Sequence, residues 1–150
     1  MTGDQRATGR TRLLEVKGLK KYFPIRRGLL QKIVGQVKAV DDVTFFLNQG
    51  ETLSLVGESG CGKTTTSRCI LRAIDPTAGQ VLLEDGGKMI DVATIPAGEL
   101  RSLRRQMQMI FQDPYASLNP RMTVGATLAE PLVIHKLAAT KADRDARVIE

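Results

Sequence analysis

A glycine-rich segment near the middle of the chain carries the residues whose types and spacing are best suited to chemistry. The pattern G-x-x-x-x-G-K-[ST] is matched by Gly57, Glu58, Ser59, Gly60, Cys61, Gly62, Lys63 and Thr64. Glycines let the backbone turn sharply and approach a ligand, so that successive N–H groups can surround anionic oxygens. Lys63 would then place a charge beside the β- and γ-phosphates, and the Thr64 hydroxyl would be a ligand for magnesium. The segment predicts a loop that binds a nucleoside triphosphate, with Thr65 completing the nucleotide-binding set.

This pattern has a phosphate-binding meaning only where it joins a strand to a helix. Residues 52–56, Thr-Leu-Ser-Leu-Val, are apolar and bounded by glycine, which predicts a buried strand before the loop. Apolar residues at helical spacing follow the loop and predict a helix that ends at Asp75–Pro76. The alternative is a plain glycine turn with a solvated Lys63, but the strand and helix context favours triphosphate binding.

Weaker patterns predict the remaining elements. A strand is expected to begin at 13–16 and to end in a loop at 20–24, because Pro24 disfavours continuation, and the basic segment 25–38 is expected to be an exposed excursion. Further strands are predicted at 39–47, 80–84 and 107–111, a hairpin turn at 85–87, and helices at 96–105, 123–135 and 141–150.

Composition limits the classes of protein that the chain can represent. Its 150 residues are 42% apolar and 25% charged, which is typical of one soluble globular domain. The net charge of +6 is concentrated in residues 1–50, where ten Lys and Arg face four Asp and Glu. A polyanionic ligand or an anionic membrane surface is compatible with this charge, but 4% aromatic residues and no Trp leave few platforms for stacking bases.

Other function classes are disfavoured by what the sequence lacks. The start of the chain has no apolar signal-peptide core, and no apolar run approaches the roughly 18–20 residues of a membrane span. Any membrane role is therefore expected to be peripheral. Cys61 and Cys69 have no Cys/His cluster around them that could hold zinc, so they are expected to be reduced thiols.

Two long stretches resemble the ATP-binding subunits of ABC transporters, specifically the oligopeptide, dipeptide and nickel importer group. They are VDDVTFFLNQGETLSLVGESGCGKTTTSRCIL and LRRQMQMIFQDPYASLNPRMTVGATLAEPLVIH, and the resemblance runs from Leu13 to the end of the chain. It implies an α/β P-loop NTPase fold, the ABC ATPase core with its parallel sheet, truncated and followed by the start of the helical subdomain.

The resemblance also implies roles for residues outside the loop. Gln112 matches the glutamine that reaches the magnesium and the attacking water, and its position after the predicted strand 107–111 agrees with ligands gathering beyond strand ends. The alternative is a polar side chain that satisfies loop backbone. Phe23 matches the aromatic residue that stacks on adenine, with Tyr22 as the second candidate and packing into the core as the alternative.

Several motifs of the family have no counterpart in the sequence. The signature motif, the magnesium-binding Asp of the second acidic motif, the catalytic Glu and the switch His are missing, and His135 does not lie in the position of the switch His. Residues 13–150, after a disordered lead of residues 1–12, are therefore expected to be the N-terminal part of a nucleotide-binding domain. The resemblance implies ATP hydrolysis by the full-length protein and an inactive chain in isolation.

The resemblance implies ATP-driven import of peptides or a related small solute. The implied cofactors are ATP and Mg²⁺, and the implied partners are ABC permease subunits, a second ATP-binding subunit, identical or sister, and indirectly a solute-binding protein. The chain would act as a peripheral subunit at the cytoplasmic face of the cell membrane. Two other interpretations stay open: a non-catalytic nucleotide-binding fragment, and a P-loop ATPase that acts on nucleic acid, although a nucleic-acid partner is not expected.

Overall fold

Four strands and four helices make up the regular structure of the described residues. The computed structural model describes residues 11–28, 31–112 and 118–149, which fall into two compact units divided between residues 100 and 101. The elements are β1 Arg12–Arg27, β2 Lys32–Asn48, α1 Lys63–Ile70, β3 Ala78–Asp85, β4 Lys88–Asp91, α2 Ala97–Leu103, α3 Val124–Ile134 and α4 Lys141–Ile149. The predicted disordered lead falls largely on residues outside the described ranges.

The four strands form one antiparallel sheet in the order β2-β1-β3-β4. Val16 on β1 pairs with Phe45 on β2 and with Val81 on β3, so the centre of β1 is held from both sides. Helix α1 packs against β1 and β2, and its buried Cys69 joins the apolar core of the first unit. The fully buried core side chains of this unit are Val16, Leu19, Cys69, Val81 and Val92.

Strand β1 does not end at Pro24, which corrects the predicted boundary. It continues to Arg27, with Pro24 opposite Gln36 on β2. Pairing between β1 and β3 stops at Lys20, so the far edge of β1 is unpaired at Pro24. A proline lacks a backbone N–H, and an open edge tolerates that loss. The segment 25–38 is exposed as predicted, but it consists mostly of the two arms of the β1–β2 hairpin.

Helix α1 is shorter than predicted because it ends in a left-handed turn at Arg72 rather than at Pro76. The Ala73 amide donates to the Arg68 carbonyl at 2.8 Å and the Arg72 amide to the Cys69 carbonyl at 3.0 Å, a pairing that closes a helix C-terminus. Arg72 has φ +47, which costs a non-glycine residue energy. Its guanidinium offsets this cost by donating to Asp75 Oδ1 at 3.0 Å and to the Ile95 carbonyl at 2.5 Å.

The predicted strands at 52–56 and 107–111, and with them the parallel core sheet, are not found among the described residues. Both segments lack regular structure, and Val56 and Ile110 are 92% and 96% exposed. A strand forms only where a neighbouring strand supplies hydrogen-bond partners, and the described residues provide none for either segment. The apolar pattern is therefore present without the pairing that it predicts.

The second unit contains the two predicted C-terminal helices. The Thr123 side chain caps α3 by accepting a hydrogen bond of 3.2 Å from the Ala126 amide. Arg101 donates to the Ile134 carbonyl at the end of α3 with a distance of 2.6 Å. Helices α3 and α4 pack together and leave a groove of about 490 Å³ between them. In the described residues no helix has the length and apolar character needed to cross a membrane.

Candidate phosphate-binding site

The glycine-rich loop turns through two residues with left-handed backbone conformations. Gly60 has φ +83 and Gly62 has φ +97, values that L side chains rarely adopt. Gly62 is the N-cap of α1 and its Cα lies against the backbone carbonyl of Ala39 on β2, where a Cβ would overlap the oxygen. The last glycine of the pattern is thus required twice, once for its backbone angle and once for its small size.

The ammonium of Lys63 folds back over the loop that precedes it. Lys63 Nζ donates to the carbonyl oxygens of Gly57 and Glu58, each at 2.7 Å, and lies 3.5 Å from Cys61 Sγ. The Cys61 amide donates to the Glu58 carbonyl at 3.3 Å. The loop therefore holds one cation at its mouth, and these internal hydrogen bonds would have to be exchanged when an anion enters.

The N-terminus of α1 is suited to an anion because its first amides have no side-chain cap. Lys63, Thr64 and Thr65 form the first turn, where backbone N–H groups have no intrahelical acceptor. Gly62 has no side chain to cap them, no side-chain cap hydrogen bond is made among the described residues, and the first turn contains no Asp or Glu. The positive end of the helix dipole points the same way and favours negative charge there.

The hydroxyls on α1 differ in what they contact. Thr66 Oγ1 donates to the Gly62 carbonyl at 3.0 Å, and Ser67 Oγ donates to the Lys63 carbonyl at 3.2 Å, so both are engaged within the helix. Thr64, by contrast, has an exposed side chain at the loop end of the helix. A neutral hydroxyl oxygen in this position fits Mg²⁺, which prefers hard oxygen donors and keeps several water and phosphate ligands. No cluster of three or more His, Cys, Asp or Glu occurs in the described part of the chain.

The two candidate aromatic residues for adenine lie on β1 and have different environments. Phe23 pairs with Val37, Tyr22 pairs with Lys38, and the next residue of β2, Ala39, is the one that Gly62 touches. Phe23 is 41% exposed, and Lys21 Nζ lies 5.0 Å from the centre of its ring. The hairpin thus brings an accessible aromatic ring and the start of α1 to the same stretch of β2, and the alternative of Phe23 as a core residue is not what the burial favours.

Tyr22 is engaged in a polar cluster at the base of the hairpin. Its hydroxyl donates to Asp41 Oδ1, Lys38 Nζ donates to Asp41 Oδ2 at 3.2 Å, and Lys38 Nζ lies 5.4 Å from the centre of the Tyr22 ring. The hydrogen bond from Tyr22, and to a smaller extent the one from Lys38, lowers the pKa of Asp41. The hydrogen bond between Tyr22 and Asp41 also raises the pKa of Tyr22. Because Tyr22 already has these partners, Phe23 is the better candidate for a stacking surface.

Gln112 lies in the second unit. It is exposed and lies outside regular secondary structure, so the buried strand predicted to position it is not present among the described residues. Its role as a magnesium and water contact remains a prediction from the sequence. Residues 113–117 of the motif that follows it lie outside the described residues.

Two residues of the site were not found by sequence reasoning. Ala39 provides the carbonyl against which Gly62 lies, and Lys21 reaches both the Phe23 ring and the Asp75 carbonyl, the latter at 2.7 Å. The Ala39 contact depends on how β2 crosses the loop, which no local pattern encodes. The alternation of Lys21 and Phe23 on one face of a strand could have indicated the second contact.

A glycine loop that leads into an uncapped helix N-terminus, with a lysine folded across the loop, is typical of a P-loop, although the strand expected before the loop is not formed among the described residues. The ABC transporter family model matches residues 40–150, and the chain belongs to this family. Its α/β fold is confirmed by solved ATP-binding cassettes. A dimeric cassette in a post-hydrolysis state, bound to ADP and Pi, matches with a TM-score of 0.67 at 24% identity. The match covers 91% of this chain and 54% of the cassette.

The chain is also similar to named ATP-binding proteins of importers. The oligopeptide transport ATP-binding proteins AppF and OppF of Bacillus subtilis are 48% and 52% identical to it, over 96% and 93% of this chain. The glutathione import ATP-binding protein GsiA of Salmonella choleraesuis is 51% identical over 83% of this chain. This chain spans 43% and 42% of the two Bacillus proteins and 19% of GsiA.

Proposed function

We propose that the chain binds the triphosphate of ATP and is part of an ATP-binding subunit of an ABC importer. The observation that carries the proposal is the position of Lys63, whose ammonium lies over the Gly57 and Glu58 carbonyls beside the uncapped start of α1. Phosphate oxygens placed there would lie beside the positive charge of Lys63 and would accept hydrogen bonds from the backbone amides of Thr64 and Thr65. The loop glycines allow the close approach that this geometry needs.

Each proposed nucleotide contact has a separate physical task. Residues Gly57, Glu58, Ser59, Gly60, Cys61 and Gly62 would surround the phosphates, and Phe23 would stack on the adenine ring. Mg²⁺ would supply positive charge to the phosphates, and the Thr64 hydroxyl would be one of its ligands. From the sequence alone we propose the Gln112 amide oxygen as a further magnesium contact. Gln112 would also orient the attacking water, and Lys63 would stabilise negative charge on the transferred phosphoryl group.

We propose further that hydrolysis drives the import of peptides or a related small solute. The similarity to oligopeptide transport ATP-binding proteins and to a glutathione import ATP-binding protein supports this solute class, because glutathione is itself a small peptide. The solved dimeric cassette supports a second ATP-binding subunit as a partner. Permease subunits, and indirectly a solute-binding protein, complete the proposed assembly at the cytoplasmic face of the membrane.

The second unit has features that suit contact with a permease. On α3 the apolar side chains of Val124 and Leu128, one helical turn apart on one face, are 78% and 54% exposed. Val133, which lines the groove that α3 and α4 form, is 58% exposed. An exposed apolar helix face of this kind is typical of an interaction surface.

We assign residues 13–150 to the N-terminal part of a nucleotide-binding domain, in line with their coverage of 43% of AppF.

Uptake of a labelled tripeptide by cells that carry this protein tests the proposal. Replacing Lys63 by alanine in the chromosomal gene should abolish uptake, because the phosphate contact is lost before any transport step. Lys88→Ala, at an exposed position at the start of β4, removes the same charge away from the loop and should leave uptake intact. Uptake that continues unchanged in the Lys63→Ala cells would contradict the proposal. Competition by unlabelled glutathione or by longer peptides would then define the solute.

A further inference from the structure

We propose that the outer part of the β1–β2 hairpin, residues 23–28 and 31–38, is a docking surface for an anionic lipid bilayer. These residues, here named the hairpin tip, are exposed with the exception of Gly35, which is half-buried. The hairpin tip lies beyond the part of β1 that pairs with β3, because that pairing extends only to Lys20. Phe23, at the inner end of the hairpin tip, is also a proposed nucleotide contact, but the cations and aliphatic side chains that carry this proposal are not, and docking does not depend on ATP binding.

The outer part of the hairpin carries charge of a single sign. Between residues 16 and 40 the sequence contains seven Lys and Arg and no Asp or Glu. On the hairpin tip Arg27 pairs with Lys32 across the two strands, and Arg26 precedes them on β1. Within the described residues no carboxylate forms an ion pair with these three side chains, whereas Lys38 at the base of the tip is paired with Asp41. The outermost cations are therefore available to an external anion.

Exposed aliphatic side chains are interleaved with these cations. Ile25, Ile33, Val34 and Val37 are 42%, 61%, 58% and 53% exposed. The register shifts between Ile25 and Arg26, so that Val34 is left without a cross-strand partner beside Ile33. Several large exposed aliphatic side chains within one short hairpin are typical of an interaction surface.

The combination of charge and apolar side chains favours a bilayer over a nucleic acid. Anionic headgroups attract Lys and Arg near the membrane surface, and the acyl boundary accepts Ile and Val side chains that extend past them. A nucleic-acid backbone would satisfy Arg26, Arg27 and Lys32 but would leave the aliphatic side chains against water. The described part of the hairpin tip carries one aromatic ring, Phe23, and so has little to stack on bases.

Sedimentation of the chain with vesicles tests the docking surface. Vesicles of phosphatidylcholine mixed with phosphatidylglycerol should bind the chain, and vesicles of phosphatidylcholine alone should bind it weakly. The variant Arg26→Gln/Arg27→Gln/Lys32→Gln should lose roughly 100-fold in affinity for the anionic vesicles, at about 5-fold for each cation. The matched control Lys88→Gln/Arg121→Gln/Lys141→Gln removes three exposed cations elsewhere and should keep most of the binding.

The apolar part of the surface has its own variant. Ile25→Thr/Ile33→Thr/Val34→Thr keeps the charge and the β-branched shape but removes aliphatic area, so binding should weaken and should become more sensitive to salt. The proposal is overturned if the wild-type chain ignores anionic vesicles, if the two charge variants bind alike, or if the threonine variant binds as wild type does. Tighter binding to duplex DNA than to the anionic vesicles would also overturn it.

A fluorescence readout does not depend on multiple substitutions being tolerated. The sequence contains no Trp, so Val34→Trp adds a single reporter at the hairpin tip. Its emission should shift to the blue with anionic vesicles and should be quenched by brominated lipid, while Val124→Trp, on exposed α3, should show neither change. A Val34→Trp emission that stays fixed would overturn the proposal. ATP binding measured on the same variants reports on the nucleotide proposal separately.

Discussion

Gly62 lies with its Cα against the carbonyl oxygen of Ala39, so the start of α1 is seated directly on β2. The contact joins the phosphate loop to the antiparallel sheet without any side chain in between. Phe23 lies on β1 two residues after Lys21, the partner of Val40 on β2. The contact therefore also explains why the loop lies next to the part of the hairpin that carries the accessible Phe23 ring. The nucleotide site is therefore built on β2 as much as on the loop itself.

Replacing Gly62 by alanine should destabilise the chain strongly. The left-handed backbone at φ +97 costs roughly 1–2 kcal/mol for an L side chain, and the overlap with Ala39 adds to that cost. Gly87→Ala is the matched control, since Gly87 has φ +86 with open space around it. Urea unfolding should show a larger loss for Gly62→Ala than for Gly87→Ala. Equal losses would mean that the Ala39 contact does not exist in solution.

The Tyr22–Asp41 hydrogen bond should make stability depend on pH. Asp41 has a lowered pKa in the folded chain, so its contribution is present above its unfolded pKa and is lost as the pH falls through the folded value. Tyr22 has a raised pKa, so its contribution is present below its unfolded pKa and is lost as the pH rises through the folded value. Tyr22→Phe should therefore lower stability at neutral pH and make little difference in acid. NMR titration of Asp41 should show its pKa rising in the variant.

Removing the Phe23 ring should weaken the binding of ATP but not of the phosphates alone. Stacking of aromatic rings contributes about 0.5–1.5 kcal/mol beyond burial, so Phe23→Ala should lose roughly 10-fold in ATP affinity. Phe23→Tyr should retain most of it. Inorganic tripolyphosphate, which has no base, serves as the control ligand in a competition assay. If the Phe23→Ala variant binds ATP as tightly as wild type, the adenine ring does not stack on Phe23.

The Thr64 hydroxyl should matter only when magnesium is present. Thr64→Ala should lose on the order of 10-fold or more in affinity for Mg²⁺-ATP, because losing even an outer-sphere metal contact costs about that much. Thr64→Ser keeps the oxygen and should bind nearly as wild type. Ser67→Ala is a control on the same helix, since its hydroxyl contacts the Lys63 carbonyl. Identical losses for Thr64→Ala with and without EDTA would argue against a metal ligand.

The sequence predicts the parts of the molecule that local chemistry determines. The hairpin turn at Asp85–Gly87 forms with both glycines at positive φ, and the helix that starts at Lys63 follows its glycine N-cap. The Thr123 hydroxyl caps α3 as a threonine before an apolar run should. In each case the residues that define the element also make its stabilising contacts.

Elements that need distant partners were predicted less well. Residues 52–56 and 107–111 have the apolar pattern of buried strands, but pattern alone supplies no hydrogen-bond partner and neither segment is paired among the described residues. Pro24 is tolerated because β3 stops pairing at Lys20, which the sequence around Pro24 does not encode. Ala39 contributes to the site through its backbone carbonyl, which any residue would supply, so its identity gave no indication of its role.

The most direct measurement is calorimetric titration of the chain with Mg²⁺-ATP, comparing wild type with Lys63→Ala and with Lys88→Ala. Loss of charged hydrogen bonds worth about 1.5–3 kcal/mol should weaken Lys63→Ala by roughly 10- to 100-fold. Wild type and Lys88→Ala should bind with similar affinity. Absence of binding heat for wild type, or an affinity that Lys63→Ala leaves unchanged, would contradict the assignment of the glycine-rich loop as a triphosphate site.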